Sequence, residues 1–337
     1  MLPRSEDEAR RLLNTSCGIG LLVSIAIFVA LFVINAFITP VEMHIYYLLC
    51  LSLLMGSITQ PGIVWLNRQQ AYFKMGNIRM IQADATLGFS ILFCERFELF
   101  NGLILGFLGG QLAALACIIV FVPILRSGWA SRTLIGEYFQ FIKFGSVSSM
   151  ISTLSRNLPA FMIKTFFNDA ALGWYTVATK YLNAPIEIFS NSIGQVYFKE
   201  ASTANSNELR QLTNSIIRNI FLIIAIPVLC ILFFGPVIFE VLLGEEWRMA
   251  GRVASMLILW YFVAYASGPL SVLIDVKLKL KWELNYNILL LVFRLAALLS
   301  AYLVDDVMIV LGIFAAVGLV FNTVLLTYVV KLSRQDA

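Results

Sequence analysis

Residues 18–38, GIGLLVSIAIFVALFVINAFI, contain no charged side chain, and neither do 219–239 or 307–330. Each run is about the 20 residues that a helix needs to cross the hydrocarbon core of a bilayer. A chain in lipid has no water to satisfy its backbone N–H and C=O groups. Runs of this kind are therefore helices rather than isolated strands. The pattern recurs along all 337 residues, and only 13% of the side chains are charged, about half the share usual in soluble domains. The fold class is an all-α, polytopic membrane protein. A formal net charge of +4 is too mild to point to nucleic acid.

About ten transmembrane helices are predicted, over 17–38, 44–66, 80–94, 100–125, 145–167, 171–196, 217–243, 252–275, 283–303 and 307–331. The third is the shortest and carries Asp84 near its start. If both termini are cytoplasmic and the helices alternate, the inner loops take clusters such as Arg68, Lys74, Arg79 and Lys277, Lys279, Lys281. The outer loops are left with Arg96, Arg248 and Arg252. This asymmetry is the positive-inside pattern of a multi-pass protein of the inner membrane. It also requires the third helix, without which every later loop would invert.

No loop is long enough to fold as a soluble catalytic domain. The longest connections, 126–144 and 197–216, are both cytoplasmic in this topology. Segment 126–144, RSGWASRTLIGEYFQFIKF, is amphipathic and reads as a linker on the inner surface. It divides the chain into an amino-terminal lobe of four helices, 1–125, and a carboxy-terminal lobe of six, 145–337. Gly102, Gly106, Gly110 and Ala114 form a small-residue face that lets another helix approach closely. Pro61, Pro159, Pro185, Pro227 and Pro269 fall inside predicted spans, where neighbours must satisfy the freed carbonyls. The five cysteines lie in or beside apolar runs with no CxxC pair, and His44 has no second ligand near it in sequence. Neither pattern makes a metal site, a catalytic group or a cofactor site.

The informative stretch is 174–196, WYTVATKYLNAPIEIFSNSIGQV. Lys180, Asn183, Glu187, Asn191 and Gln195 follow one another at helical spacing and form a single stripe. A charge at the bilayer centre costs about 2.5–3.5 kcal/mol on insertion scales, so such residues need partners or water. In the helix before it, Ser148, Ser152, Ser155 and Arg156 share a face, and in the ninth predicted helix Asn287 and Arg294 are seven apart. Two arrangements fit this pattern. One is a buried ion-pair network that fixes helix register. The other is a hydrated cavity that receives an anion, favoured because Arg156, Lys180 and Arg294 outnumber the lone deep carboxylate, Glu187. Arginine matches phosphate through its fork of N–H donors, and amides can exchange water for sugar hydroxyls.

The segment RNLPAFMIKTFFNDAALGWYTVATKYLNAPIEIFSNSIGQVYFKEAS (156–202) resembles the polysaccharide transporter family, flippases of lipid-linked oligosaccharides within the multidrug/oligosaccharidyl-lipid/polysaccharide exporter superfamily. LPRSEDEARRLL (2–13), LLGEEWRMAG (242–251) and SGPLSVLID (267–275) resemble other parts of that family. The resemblance implies a MATE-like fold in which two lobes flank a central cavity and alternate their access to the two sides. It also implies that the first two of the family's usual twelve helices are absent here. The substrate it implies is a polyprenyl-pyrophosphate-linked oligosaccharide bound for surface polysaccharide. The expected partners are that lipid, the surrounding membrane lipids and proteins of polysaccharide assembly. Arg156, Lys180, Arg294, Asn183 and Asn191 are then the candidate head-group contacts, and Glu187 the candidate coupling residue.

Other readings remain open from the residues alone. Exporters of drugs or of the peptidoglycan lipid precursor share the fold, although drug exporters that bind cations fit a positive interior poorly. A chain lacking two helices could also be an inactive remnant. A glycan polymerase or ligase would need carboxylates or histidine at the membrane face. Here His44 stands alone, and Asp305 and Asp306 are explained by turn chemistry.

Overall fold

The computed structural model describes residues 5–37, 43–94, 99–122, 128, 136, 139, 141–202, 204–304 and 306–335. Among them there is no strand. The chain divides into two units, Met1–Glu137 and Tyr138–Ala337. Most of the predicted linker 126–144 lies outside the described residues, as does Asp305.

The first unit contains α1 (Glu6–Phe37), α2 (Met43–Arg68), α3 (Tyr72–Cys94) and α4 (Leu99–Phe121). Helix α1 begins eleven residues before the predicted span, because Ala9, Leu13 and Cys17 form a buried stripe. That stripe joins Trp65 and Leu66 at the end of α2, Ile78 early in α3, and Ala114 and Ile118 late in α4. Starts of odd helices thus meet ends of even ones, the signature of an up-and-down bundle. The farther half of α1 instead exposes Leu22, Val23, Ile25 and Val29, as lipid contact requires. The small-residue face of α4 packs on α3. Side chains added at Gly102, Gly106 and Gly110 would strike Cys94, Ser90 and Thr86 in turn. The descending order shows that the two helices run antiparallel.

The second unit opens with a π-helical turn, Phe141–Gly145, that leads into α5 (Ser146–Phe166). It continues through α6 (Asp169–Ala201), α7 (Ser206–Leu243), α8 (Arg248–Leu270), the short α9 (Val272–Val276), α10 (Leu280–Leu299) and α11 (Val307–Leu332). Helix α7 starts well before the predicted Ile217, at a capping box in which Asn205 and Glu208 satisfy each other's backbone N–H groups. Helix α8 is the centre of the unit and packs on α6, α7 and α11. Its buried residues include Ala250, Ala254, Leu257, Ile258, Tyr261 and Tyr265. It meets α7 where Gly251 lies against Gly235, so close that no Cβ fits at either position.

Among the described residues, seven segments are long and apolar enough to cross a membrane: Glu6–Val33, Tyr47–Arg68, Gly102–Phe121, Ser206–Leu243, Glu245–Val276, Leu280–Tyr302 and Val307–Leu332. Helices α3, α5 and α6, predicted as the third, fifth and sixth spans, are not among them. They are of comparable length but more polar, and α5 and α6 hold the polar residues singled out above.

Candidate functional site

Helix α5 turns Ser148, Ser155, Pro159 and Ile163 inward, and α10 turns Tyr286, Asn287, Leu290, Arg294, Ala297 and Leu298 inward. The two faces meet along a polar seam. Asn287 donates from Nδ2 to Ser148 Oγ at 2.8 Å, and Arg294 donates from Nη1 to Ser155 Oγ at 3.0 Å. Both bonds join residues 139 apart in sequence, so α5 and α10 run parallel and in register. Glu283, one turn before Asn287, lies beside Ser148 at one end of the seam.

Parallel pairing recurs within the unit. Successive sites on α8, at Met256, Trp260 and Ser267, meet successive sites on α11, at Gly312, Gly318 and Asn322. Tyr265 of α8 donates to the carbonyl of Leu182 on α6 at 2.9 Å. Pro185 lacks an N–H for the Tyr181 carbonyl one turn earlier, and the Tyr265 bond gives the neighbouring Leu182 carbonyl an acceptor role between helices. These parallel pairs are the ones that an alternating path through α5, α6, α7, α8, α10 and α11 produces.

Arg294 is the most unusual side chain of the unit. It is 5% exposed, and among the described residues it forms no ion pair. Its guanidinium carbon lies 5.0 Å from the centre of the Trp260 ring and 5.2 Å from that of Phe314. Desolvated cation–π contacts of this kind contribute about 2 kcal/mol or more each. Gly318 makes room for the Trp260 ring, since a Cβ there would come within 2.6 Å of it. The phenols of Tyr175, Tyr261 and Tyr286 are near enough to act on the Arg294 charge, and so is the Arg156 guanidinium. Two buried donors here, Arg294 Nε and Trp260 Nε1, have no hydrogen-bond partner. Each unmet donor costs about 1–3 kcal/mol.

The candidates therefore occupy different environments. Arg294 is buried inside the second unit. Arg156, Lys180, Asn183 and Glu187 are exposed on α5 and α6. Arg156 reaches only Thr153 Oγ1, at 3.5 Å, and among the described residues neither Lys180 nor Glu187 forms an ion pair. Asn183 lies against the Tyr261 hydroxyl. The side chain of Asn191 lies outside the described ones. Helix α6 is held for this display by Asn168, whose side chain accepts from Ala171 N at 2.8 Å as its N-cap, and by its buried face of Ala171, Tyr175, Ala178 and Leu182. Sequence reasoning did not single out Trp260, Phe314 or the three tyrosines. Their aromatic character reads as ordinary core until the guanidinium is placed among them. No three His, Cys, Asp or Glu side chains among the described residues come together to hold a metal ion.

The apolar helices and their parallel and antiparallel packing define a multi-pass membrane protein. Its fold is that of MATE transporters. A multidrug resistance MATE family transporter of the MOP superfamily, in an outward-facing conformation, superposes with a TM-score of 0.68 at 14% identity, over 97% of this chain and 77% of that one. A MATE in the straight conformation superposes with a TM-score of 0.63 at 15% identity, over 98% of this chain and 83% of that one. No curated protein matches the sequence. Residues 3–251 match the family model described as "Polysaccharide biosynthesis protein", and the chain belongs to that family.

Proposed function

We propose that this protein is a membrane exporter that translocates a polyprenyl-pyrophosphate-linked oligosaccharide across the inner membrane by alternating access, for surface polysaccharide synthesis. The observation that carries the reading is the exposed polar face on the two least apolar helices of the second unit. Arg156 and Lys180 stand there without carboxylate partners among the described residues, and Asn183 is on the same stripe as Lys180. Unpaired cations on membrane helices are costly unless water or an anionic ligand meets them. A pyrophosphate supplies the missing charge, and amides supply hydrogen bonds for the sugars. Arg156 and Lys180 are the direct head-group contacts in this reading, and Arg294 acts on the head group through Arg156 and the seam. Glu187, exposed on the same helix, is the coupling group.

Export of a cationic drug is the alternative that the names of the structural neighbours bring to mind. A face that shows two cations against one carboxylate among the described residues repels such a substrate. The experiment is to express Arg156→Ala and Lys180→Ala, singly and together, in cells lacking the native gene, with membrane abundance measured by immunoblot. The double variant should abolish surface polysaccharide at normal abundance. Wild-type polysaccharide from the double variant would end the assignment.

A further inference from the structure

The Arg294 pocket poses a problem that the transport reading leaves unsolved. Arginine keeps its proton under all ordinary conditions, so this buried charge cannot be removed by titration. Ser155 and the two aromatic faces of Trp260 and Phe314 compensate it in part. No described carboxylate pairs with it, and the nearby Arg156 adds a second positive charge. Arg294 Nε and the indole Nε1 of Trp260 are both buried donors without acceptors, on two side chains that touch each other. A buried cation with two idle N–H donors, phenol hydroxyls within electrostatic reach and a second cation, Arg156, on the adjoining exposed face lacks one thing, a negatively charged acceptor.

We propose that the second unit holds a monovalent inorganic anion of halide class against Arg294 and Trp260. The enclosure favours that class. Arg294 is 5% exposed and lies against the Trp260 and Phe314 rings, a burial that suits a small ion better than a lipid tail or a sugar chain. A multiply charged oxyanion needs more donors than this locus offers, whereas a halide accepts from a few N–H and O–H groups and carries one charge. Water would satisfy the donors but leave the charge unbalanced. The site would neutralise a cation that also fixes the α5–α10 seam through Ser155, so occupancy should stabilise the fold. This inference stands on the interior of one unit and does not depend on what the protein exports.

The test uses the full chain, purified in detergent in sodium gluconate at fixed ionic strength. Binding of radiolabelled chloride, and its displacement by unlabelled bromide, is measured alongside the melting temperature. Saturable chloride binding is expected, with a parallel rise in melting temperature. Arg294→Gln should weaken half-saturation by about tenfold or more, the effect of losing a charge-assisted contact. Arg294→Lys should retain part of the binding. Should Arg294→Gln fail to fold, Trp260→Phe keeps the ring face, removes only the idle N–H, and should still weaken chloride binding several-fold. No chloride binding by the wild type overturns the proposal, as does binding left unchanged by Arg294→Gln or, where that variant does not fold, by Trp260→Phe. Stabilisation by inorganic pyrophosphate but not by halide also overturns it, and would assign the locus to an oxyanion.

Discussion

The guanidinium of Arg294 donates to Ser155 Oγ at 3.0 Å, two helical turns along α10 from the Asn287 bond to Ser148. At 1.5 Å of rise per residue, the two bonds are about 10 Å apart along the helix axes. Two fixed points on a pair of rods set both their register and their rotation, which one bond alone would not.

Replacing Ser155 by alanine leaves the Arg294 Nη1 donor without its acceptor. We expect a loss of about 1–3 kcal/mol, seen as a lower melting temperature in detergent. Ser152→Ala, half-buried on the same helix and outside the seam's two bonds, should stay within about 0.5 kcal/mol. Equal effects from the two would remove the seam from the account of stability.

The Asn287–Ser148 bond is suited to a double-mutant cycle with Asn287→Ala and Ser148→Ala. Hydrogen bonds between membrane helices average about 0.6 kcal/mol in such cycles and reach about 1.7. A positive coupling in that range is expected from thermal melts of the four proteins. Strict additivity would mean that the two side chains do not stabilise each other.

Gly318 and Gly312 lie on the same helix but predict opposite outcomes. A Cβ at Gly318 would come within 2.6 Å of the Trp260 ring, which is already committed to Arg294, so Gly318→Ala should cost about 1–3 kcal/mol. A Cβ at Gly312 would meet only the flexible Met256 side chain, at 3.4 Å. Gly312→Ala should be near neutral or stabilising, with up to about 1 kcal/mol of helix propensity gained. The two melting temperatures, measured side by side, check the contrast.

Tyr265→Phe tests the contact between α6 and α8. It removes the hydroxyl that donates to the Leu182 carbonyl. A loss of about 1–3 kcal/mol is expected. An unchanged melting temperature would show that this bond adds nothing to the α6–α8 contact.

Glu187→Gln addresses coupling. The substitution keeps the shape and removes the carboxylate. In vesicles with a lipid-linked sugar on one face, translocation by this variant should lose its dependence on an imposed pH gradient. A dependence equal to that of the wild type would place coupling elsewhere.

Much of the helical plan could be read from apolar runs and from the spacing of polar residues within them. The seven-residue intervals from Ser148 to Ser155 and from Asn287 to Arg294 mark two matching faces in sequence. That these faces bind each other is a tertiary fact, fixed by the packing of intervening helices, and no local pattern encodes it. Helix starts were misplaced where a polar stretch continues an apolar span, as at Glu6 and Ser206, because amphipathic stripes such as Ala9–Leu13–Cys17 do not raise hydrophobicity. The depth of Arg294 was legible from its surroundings in the chain. Its partners were not, since a guanidinium in a span is expected to seek acids or water, and here it rests on Trp260 and Phe314. The close contact of Gly235 with Gly251 has no sequence signature either, because each glycine is isolated in its own helix.

The common offset of 139 residues between the rungs makes α5 and α10 a single mechanical part drawn from two distant stretches of chain. Whatever tilts one tilts the other. A substitution on α10, with no exposed charge of its own near the α5 surface, will therefore be felt by Arg156, which rides one residue beyond the Ser155 rivet.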